Sequence, residues 1–231
     1  WQTQAMQSLV TARRKGENIA LPSPLNPMPV QTGARLVYLI GPSGAGKDSV
    51  LDWLRERLPP GLPLHWARRT ITRSAQAGGE AHESVTEAEF DALQQGDEFA
   101  LEWQASRLRY GIRQRELAPL QHGGWVLLNG SRAYLEQCHS RFPGMTVVHV
   151  SASPEQLRRR LLARGREDAR QVEERIARAA AFDLPAGAHE IRNDGTLEQA
   201  GHALWRILAQ LGALTTVPDP RWMLAKPVSQ D

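Results

Sequence analysis

The sequence predicts an α/β fold in which helices cover both faces of a central parallel sheet. A continuous apolar run, Leu36–Ile40, leads into a glycine-rich turn and then into an amphipathic helix. Further short apolar runs at residues 125–128 and 145–150 alternate with helical patterns along the chain. Strands that are buried on both faces are continuously apolar, and strands that alternate with helices usually form parallel sheets.

The remaining elements are expected from apolar spacing and from start and stop residues. The first helix follows Gly46, and three more begin at the capping residues Thr86, Ser153 and Asp168. A last strand is expected at residues 188–191 and a closing helix at residues 197–211.

Residues 41–49 read Gly-Pro-Ser-Gly-Ala-Gly-Lys-Asp-Ser, which is the pattern of a phosphate-binding loop with one altered position. Glycines let several backbone N–H groups turn toward a polyphosphate, the helix start adds positive potential, and the lysine reaches the β- and γ-phosphates. Only three of the 28 lysine and arginine residues are lysines, so a lysine here is notable. The alternative is a glycine-rich turn with a solvated lysine. The candidate polyphosphate-binding residues are Gly41, Pro42, Ser43, Gly44, Ala45, Gly46, Lys47, Asp48 and Ser49.

Asp48 occupies the position where such a loop usually has serine or threonine. Neither apolar run at 125–128 or 145–150 ends in a carboxylate, which these sites commonly use to help hold magnesium. Asp48 is therefore a candidate ligand for Mg²⁺, which prefers hard oxygen ligands. A carboxylate in the first turn of a helix is also stabilised by the helix dipole with no metal present, and that alternative stays open.

Three arginines lie around a helix break near Gly165, namely Arg164, Arg166 and Arg175. Phosphoryl transfer needs mainly alignment and neutralisation of charge, so a closing segment that carries guanidinium groups is a sufficient partner for a phosphate loop. For any one of these arginines, a solvated helix face is the alternative.

Length and composition favour one large domain. The 231-residue chain is 41% hydrophobic and has a net charge of +3, and no lysine-rich run indicates nucleic-acid binding. Its single cysteine, Cys138, excludes an intrachain disulfide and is interpreted as a buried filler in a reducing compartment. We expect no membrane segment and a cytoplasmic location. Residues 1–33 are proline-dense and are expected to be an appendage, with Met28 a candidate natural start, and residues 214–231 are expected to form a tail.

The order of motifs resembles the guanylate kinase family of nucleoside monophosphate kinases over about residues 34–211. The matching motifs are the loop at 41–47, Thr72-Arg73, Phe99, Tyr110-Gly111, Arg160-Leu161, Arg164-Gly165, Arg175 and Asn193-Asp194. The resemblance implies a three-layer P-loop kinase fold at residues 34–213, with a small acceptor-binding lobe at about 66–115 and an arginine lid at about 163–175. It also implies ATP and Mg²⁺ as cofactors. It further implies that ATP is bound also by Arg160, Arg164 and Asn193. The catalytic groups that it implies are Lys47, Arg164 and Arg175.

The chain departs from guanylate kinases at the positions where that family reads guanine. Arg69 stands at the base-contacting serine position and Leu101 at the guanine-binding glutamate position. Glu102 is one residue further along the strand and would point to the opposite face. A site that lacks these groups cannot select guanine, whereas an added arginine suits a second phosphate.

The full pattern resembles the ribose 1,5-bisphosphate phosphokinase family of phosphonate catabolism, and the aspartate at position 48 matches that family. The motifs are Ile-Thr-Arg at 71–73, Ala-Gly-Gly-Glu at 77–80, Asn-Gly-Ser-Arg at 129–132 and Ala-Arg-Gly-Arg-Glu-Asp at 163–168. The resemblance implies ATP-dependent phosphorylation of ribose 1,5-bisphosphate to 5-phospho-α-D-ribose 1-diphosphate. The expected acceptor-binding residues are Arg69, Arg73, Glu80, His82, Tyr110 and Arg166.

A phosphate monoester is largely dianionic near neutral pH, so no general base is expected. His122 and His149 are accordingly interpreted as surface or core residues. We expect a monomer or homodimer that acts on a small molecule, with no nucleic-acid or membrane partner. The alternatives are a guanylate or other nucleoside monophosphate kinase with a divergent pocket, a catalytically inactive guanylate kinase-like interaction module, and an arginine-rich nucleic-acid binder.

Overall fold

The structure is a computed structural model that describes residues 34–74, 82–105, 107–165 and 167–214. The predicted appendage at 1–33, the predicted tail from residue 215 onward, and the predicted acceptor residues Glu80 and Arg166 lie outside the described residues. Leu214 is described, and it is buried in the core.

The strands and helices follow one another along the chain with short connections. In order, they are β1 (Leu36–Ile40), α1 (Lys47–Arg55), β2 (Leu64–Ala67), β3 (Arg69–Ile71), β4 (Glu83–Ser84), α2 (Glu87–Gln95), β5 (Phe99–Ala105), β6 (Leu108–Arg113), α3 (Gln114–Leu117), β7 (Trp125–Asn129), α4 (Leu135–Arg141), β8 (Thr146–Ser151), α5 (Pro154–Arg164), α6 (Ala169–Ala180), β9 (His189–Arg192) and α7 (Leu197–Gln210). Two short 3₁₀ helices, Ala118–His122 and Arg132–Tyr134, complete the described elements.

Five strands form a parallel sheet in the order β2-β7-β1-β8-β9. The central strand β1 is buried along its whole length, as its continuous apolar sequence predicted. Val37 and Leu39 pack into one hydrophobic cluster with α1, α5, α6 and α7. Leu36, Tyr38 and Ile40 point to the other face and pack with α4 and with residues of β5 and β6. The predicted α/β fold with a covered parallel sheet is therefore confirmed.

A second, four-stranded sheet has the order β4-β3-β6-β5. Its strand pairs are antiparallel except for β3 with β4. The sheet spans residues 69–113, which lies inside the segment expected to form the acceptor lobe. Helix α2 packs beside it through Phe90, whose ring stacks on the ring of Phe99.

The predicted capping residues begin their helices as expected. Thr86 and Asp168 form complete capping boxes at α2 and α6, and the Ser153 side chain accepts the backbone N–H of Gln156 at α5. Cys138 is buried in α4, and burial raises the pKa of its thiol to about 12, which fits a filler rather than a nucleophile. Across the described ranges, no helix combines the length and apolar character that crossing a membrane requires.

Candidate active site

The loop between β1 and α1 has a shape that depends on glycine. Gly44 and Gly46 have φ angles of 88° and 87°, a left-handed conformation that residues with side chains rarely adopt. Gly46 directly precedes α1, so the loop passes straight into the start of the helix. Backbone N–H groups at a helix start are unpaired within the helix and favour a bound anion.

The Lys47 ammonium folds back over this loop. Its Nζ donates hydrogen bonds to the backbone oxygens of Gly41 at 2.9 Å and Pro42 at 3.4 Å. These bonds keep the cation on the loop. A polyphosphate held by the loop N–H groups would therefore meet the ammonium directly.

Asn193 and Arg160 brace the loop from the side of β9 and α5. The buried Asn193 side chain donates from Nδ2 to the backbone oxygen of Ala45 at 2.8 Å. Arg160 donates from Nη1 to the same oxygen at 3.3 Å and from Nη2 to the backbone oxygen of Asn193 at 2.8 Å. Both residues thus contact the loop itself, and they fix its conformation at the edge of the cleft.

Asp48 is held by the end of the neighbouring strand. Asn129, the last residue of β7, donates from Nδ2 to Asp48 Oδ1 at 2.7 Å. Asn129 is 4% exposed, so one carboxylate oxygen of Asp48 is fixed by a buried amide. The strand thereby supplies a donor at the position where a strand-end carboxylate would otherwise stand.

Two of the three arginines of the predicted lid converge on one carboxylate beside the loop. Glu167 Oε1 accepts one hydrogen bond from Nη2 of Arg164 at 3.0 Å. The same oxygen forms an ion pair with Arg175, whose Nη2 lies 3.2 Å away. Arg164 Nη2 also donates to Ser43 Oγ at 3.1 Å. The end of α5 is thus joined directly to the phosphate loop.

These groups surround a cleft of about 510 Å³. The structure brings most of the sequence-predicted ATP-binding residues together here. The lining includes Pro42, Ser43, Gly44, Gly46, Lys47, Asp48, Ser49, Arg160, Arg164 and Asn193. Gly41 and Ala45 take part through backbone oxygens, which accept from Lys47 and Asn193. Arg175 reaches this region through its contact with Glu167.

The lobe sheet brings Arg69 and Tyr110 together. The Arg69 guanidinium lies 5.5 Å from the centroid of the Tyr110 ring. Tyr110 also contacts Trp103, whose ring is nearly parallel to it with centroids 5.4 Å apart. These two contacts limit the freedom of the tyrosine ring and of the guanidinium.

Arg73 and His82 form a second pair in the lobe. Arg73 Nη2 lies 3.4 Å from His82 Nδ1, and His82 Nε2 lies 3.2 Å from the backbone oxygen of Arg73. In this arrangement His82 Nδ1 can accept from the guanidinium while Nε2 donates to the carbonyl oxygen. The imidazole therefore limits the directions that the Arg73 guanidinium can take.

The two residues at the altered guanine-reading positions are engaged elsewhere. Leu101 is 2% exposed and belongs to the core cluster beneath the lobe. Glu102 points to the other face of β5, as predicted, and both of its carboxylate oxygens lie 2.9 Å from Nε2 of Gln94 on α2. Neither side chain offers a carboxylate to a base in this lobe.

A second cleft, of about 400 Å³, lies between α1 and the strands β2 and β7. Asp48 lines both clefts, and so it stands between them. Arg55, His65 and Arg68 add positive or titratable groups to the second lining, and partial burial raises the pKa of Asp52 there. The linings of the two clefts do not include Arg69, Arg73 or Tyr110.

His149 is buried in β8 beneath the site, as the sequence interpretation allowed. It is 8% exposed, and its ring lies 5.3 Å from that of Phe182. Burial lowers its pKa, and the nearby charges of Arg132 and Lys47 lower it further while Glu190 opposes them. The imidazole is therefore favoured in its neutral form.

Sequence reasoning did not assign three residues that the structure places at the site. Asn129 fixes Asp48, Glu167 joins the lid arginines, and Trp103 supports Tyr110. Glu167 lies inside the arginine-rich motif at 163–168. An acidic residue among arginines in the sequence could therefore have indicated its ion pairs with Arg164 and Arg175. Asn129 is 81 positions from Asp48, and the contact of Trp103 with Tyr110 depends on how β5 pairs with β6, so the spacing of residues along the chain indicated neither contact.

A protein-family model described as an AAA domain matches residues 37–180, which is more than half of the chain. Curated relatives carry a more specific name. The protein from Thiobacillus denitrificans named "Ribose 1,5-bisphosphate phosphokinase PhnN" is 46% identical over 180 residues, which cover 78% of this chain and 95% of the relative. The protein of that name from Chromobacterium violaceum is 46% identical over 173 residues, covering 75% and 92%. A third, from Laribacter hongkongensis, is 46% identical, but this chain spans only 43% of its length.

Among solved structures, guanylate kinase from Anaplasma phagocytophilum is similar with a TM-score of 0.52. The match covers 82% of this chain and 92% of that kinase at 19% identity. At this identity the likeness establishes the guanylate kinase-like fold.

Proposed function

The chain belongs to the ribose 1,5-bisphosphate phosphokinase PhnN family, and we propose that it transfers the γ-phosphoryl group of ATP to ribose 1,5-bisphosphate. The product is 5-phospho-α-D-ribose 1-diphosphate, formed in phosphonate degradation. The observation that carries the proposal is the 46% identity to relatives of that name over nearly their whole length. Two residues of β5 support it. Leu101 is buried at the position where guanylate kinases have their guanine-binding glutamate, and Glu102 points to the other face of the strand, where it contacts Gln94, so neither offers a carboxylate to a guanine base.

ATP is proposed to bind in the cleft at the phosphate loop. The loop N–H groups and Lys47 would hold its β- and γ-phosphates, while Arg160 and Asn193 keep the loop in shape. Arg164 lines the same cleft, and it is proposed to contact the γ-phosphate.

Asp48 fits the role of a magnesium ligand. It is a carboxylate in both cleft linings, and Asn129 orients one of its oxygens. No group of three or more His, Cys, Asp or Glu side chains in the described ranges forms a metal cage, so phosphate oxygens and waters would complete the coordination. When bound, Mg²⁺ neutralises charge on the phosphates.

The proposed step is a direct in-line displacement. An oxygen of the 1-phosphate of the acceptor attacks the γ-phosphorus, a new P–O bond forms, and the bond to the bridging oxygen of ADP breaks. The acceptor phosphate is already largely dianionic, so no proton has to be removed first. Lys47, Arg164 and Arg175 are proposed to stabilise the charge that spreads over the transferred group.

The acceptor is proposed to lie against the lobe. Arg69 and Arg73 are proposed to bind its phosphates, with Tyr110 beside Arg69 and His82 beside Arg73. The proposed acceptor set also includes Glu80 and Arg166. The protein is further proposed to be cytoplasmic, to act as a monomer or homodimer, and to need no nucleic-acid or membrane partner.

An ATP-consumption assay with several acceptors in parallel tests the proposal. Ribose 1,5-bisphosphate should support rapid ADP formation, whereas GMP, AMP and ribose 5-phosphate should support little. Faster turnover with GMP than with ribose 1,5-bisphosphate would favour a divergent guanylate kinase and would overturn the acceptor assignment.

A further inference from the structure

The turn between α5 and α6 carries an acidic residue whose side chain is directed at two cations. Glu167 is 7% exposed at its side chain. Its Oε1 lies 3.0 Å from Nη2 of Arg164 and 3.2 Å from Nη2 of Arg175. Its Oε2 is buried and has no hydrogen-bond partner among the described residues.

The helices that precede and follow Glu167 are fixed independently of this contact. Gly165 ends α5 with φ of 65°, and the Asp168 capping box with Gln171 begins α6. Arg158 on α5 and Glu173 on α6 are joined by two hydrogen bonds of 2.7 Å and 2.8 Å. The paired helices and the capping box that directly follows Glu167 therefore limit where its carboxylate can lie.

The shared carboxylate of Glu167 reduces the electrostatic repulsion between Arg164 and Arg175. Two guanidinium groups that approach one phosphate repel each other, and an anion between them lowers that repulsion. Each guanidinium has five N–H donors, and Glu167 uses one from each. The remaining donors stay available for phosphate oxygens, and Arg164 already reaches Ser43 of the loop.

We propose that Glu167 is a positioning residue that holds Arg164 and Arg175 in register for the γ-phosphate of ATP. This inference rests on the proposed function, because it needs ATP as the phosphoryl donor. Glu167 would not touch the reacting atoms. It would act through the two arginines, and its removal would leave them free to turn away from the cleft.

The preference for ATP over ADP measures this role without any acceptor. Calorimetry of Mg·ATP and Mg·ADP binding gives the ratio of the two affinities for the wild type and for Glu167→Ala and Glu167→Gln. We expect Glu167→Ala to lower the ratio by about tenfold, since charge-assisted contacts to the γ-phosphate are lost. Glu167→Gln keeps an acceptor oxygen of the same shape, so the loss should be smaller.

Matched variants separate positioning from other roles. Glu174→Gln removes an exposed carboxylate of α6 that pairs with Arg170, and it should leave the ratio unchanged. In an Arg164→Ala/Arg175→Ala background, adding Glu167→Ala should have no further effect on the ratio. A carboxylate that merely reduced the positive potential of the cleft would give the opposite result, because its removal would raise the ratio.

Turnover of ribose 1,5-bisphosphate is measured on the same samples. A lowered ratio with no turnover by the wild type would overturn the proposed acceptor and leave the role of Glu167 standing. An unchanged or raised ratio in Glu167→Ala, or a further loss in the triple variant, would overturn the role of Glu167. If Glu167→Ala does not fold, the same reading applies to Glu167→Gln, which preserves the side-chain volume.

Discussion

Asn129 Nδ2 donates a hydrogen bond to Asp48 Oδ1 at 2.7 Å, which joins the end of β7 to the first turn of α1. The amide lies where a strand-end carboxylate would face the metal in other P-loop sites. In this protein the carboxylate belongs to Asp48 of the loop, and the residue at the end of the strand is the neutral Asn129. The pair keeps one oxygen acceptor oriented at the junction of the two clefts.

Replacing Asp48 by alanine should raise the Mg²⁺ concentration needed for half-maximal activity by about tenfold or more and should lower turnover, because a carboxylate ligand is lost. Metal titrations of initial rate measure this directly. Glu56→Gln, at the exposed end of α1, is the control. Unchanged metal dependence in Asp48→Ala would leave only the stabilisation of the helix start as its role.

Replacing Lys47 by alanine should lower kcat by roughly 10²-fold to 10³-fold, since a preorganised charge at the transferred phosphoryl group is removed. Lys47→Arg should restore little of this activity. The Lys47 side chain folds back over the loop to reach the carbonyl oxygens of Gly41 and Pro42, and a planar guanidinium does not fit that conformation. Thermal unfolding curves check that both variants stay folded. Turnover near that of the wild type in Lys47→Ala would refute the placement of phosphoryl transfer at this loop.

Arg69→Ser restores the residue type that guanylate kinases use at this position. It should raise the KM for ribose 1,5-bisphosphate by about tenfold with little effect on the KM for ATP, because one phosphate contact is lost. Arg170→Ser, at an exposed site on α6, serves as the control. An acceptor KM that stays unchanged would disconnect Arg69 from the second phosphate.

His149 predicts a pH dependence of stability. Burial lowers the pKa of its imidazole in the folded protein below the ordinary value, so the unfolded chain binds the proton more readily. His149 should therefore cost no stability above about pH 6.5, the ordinary histidine pKa, and should lower the free energy of unfolding as the pH falls from there toward the folded-state value. Urea unfolding of His149→Leu should show a shallower loss between pH 7 and pH 5. The exposed His122→Gln variant should retain the slope of the wild type, and an equal slope in His149→Leu would contradict the assignment.

The parts of the fold that sequence predicted are those coded by contiguous residues. The buried strand Leu36–Ile40, the glycine loop and the caps Thr86, Ser153 and Asp168 each depend on neighbours within a few positions. Alternation along a strand also predicted correctly that Glu102 faces away from Leu101.

The contacts that depend on strand pairing could not be predicted in this way. Asp48 and Asn129 are 81 positions apart, and only the parallel pairing of β1 with β7 brings them together. The stacking of Trp103 on Tyr110 depends on the register of β5 with β6, which places those two residues opposite each other. No local pattern in the sequence specifies either register.

The identity of the reaction product shows whether the protein phosphorylates ribose 1,5-bisphosphate at its 1-phosphate. Wild-type protein is incubated with ATP, Mg²⁺ and ribose 1,5-bisphosphate, and the sugar product is examined by mass spectrometry and by ³¹P–¹H correlation spectroscopy. We predict a product that has gained one phosphate, with a diphosphate on C1 and an unchanged monophosphate on C5. Recovery of unreacted ribose 1,5-bisphosphate under conditions where GMP is converted to GDP would contradict the assignment.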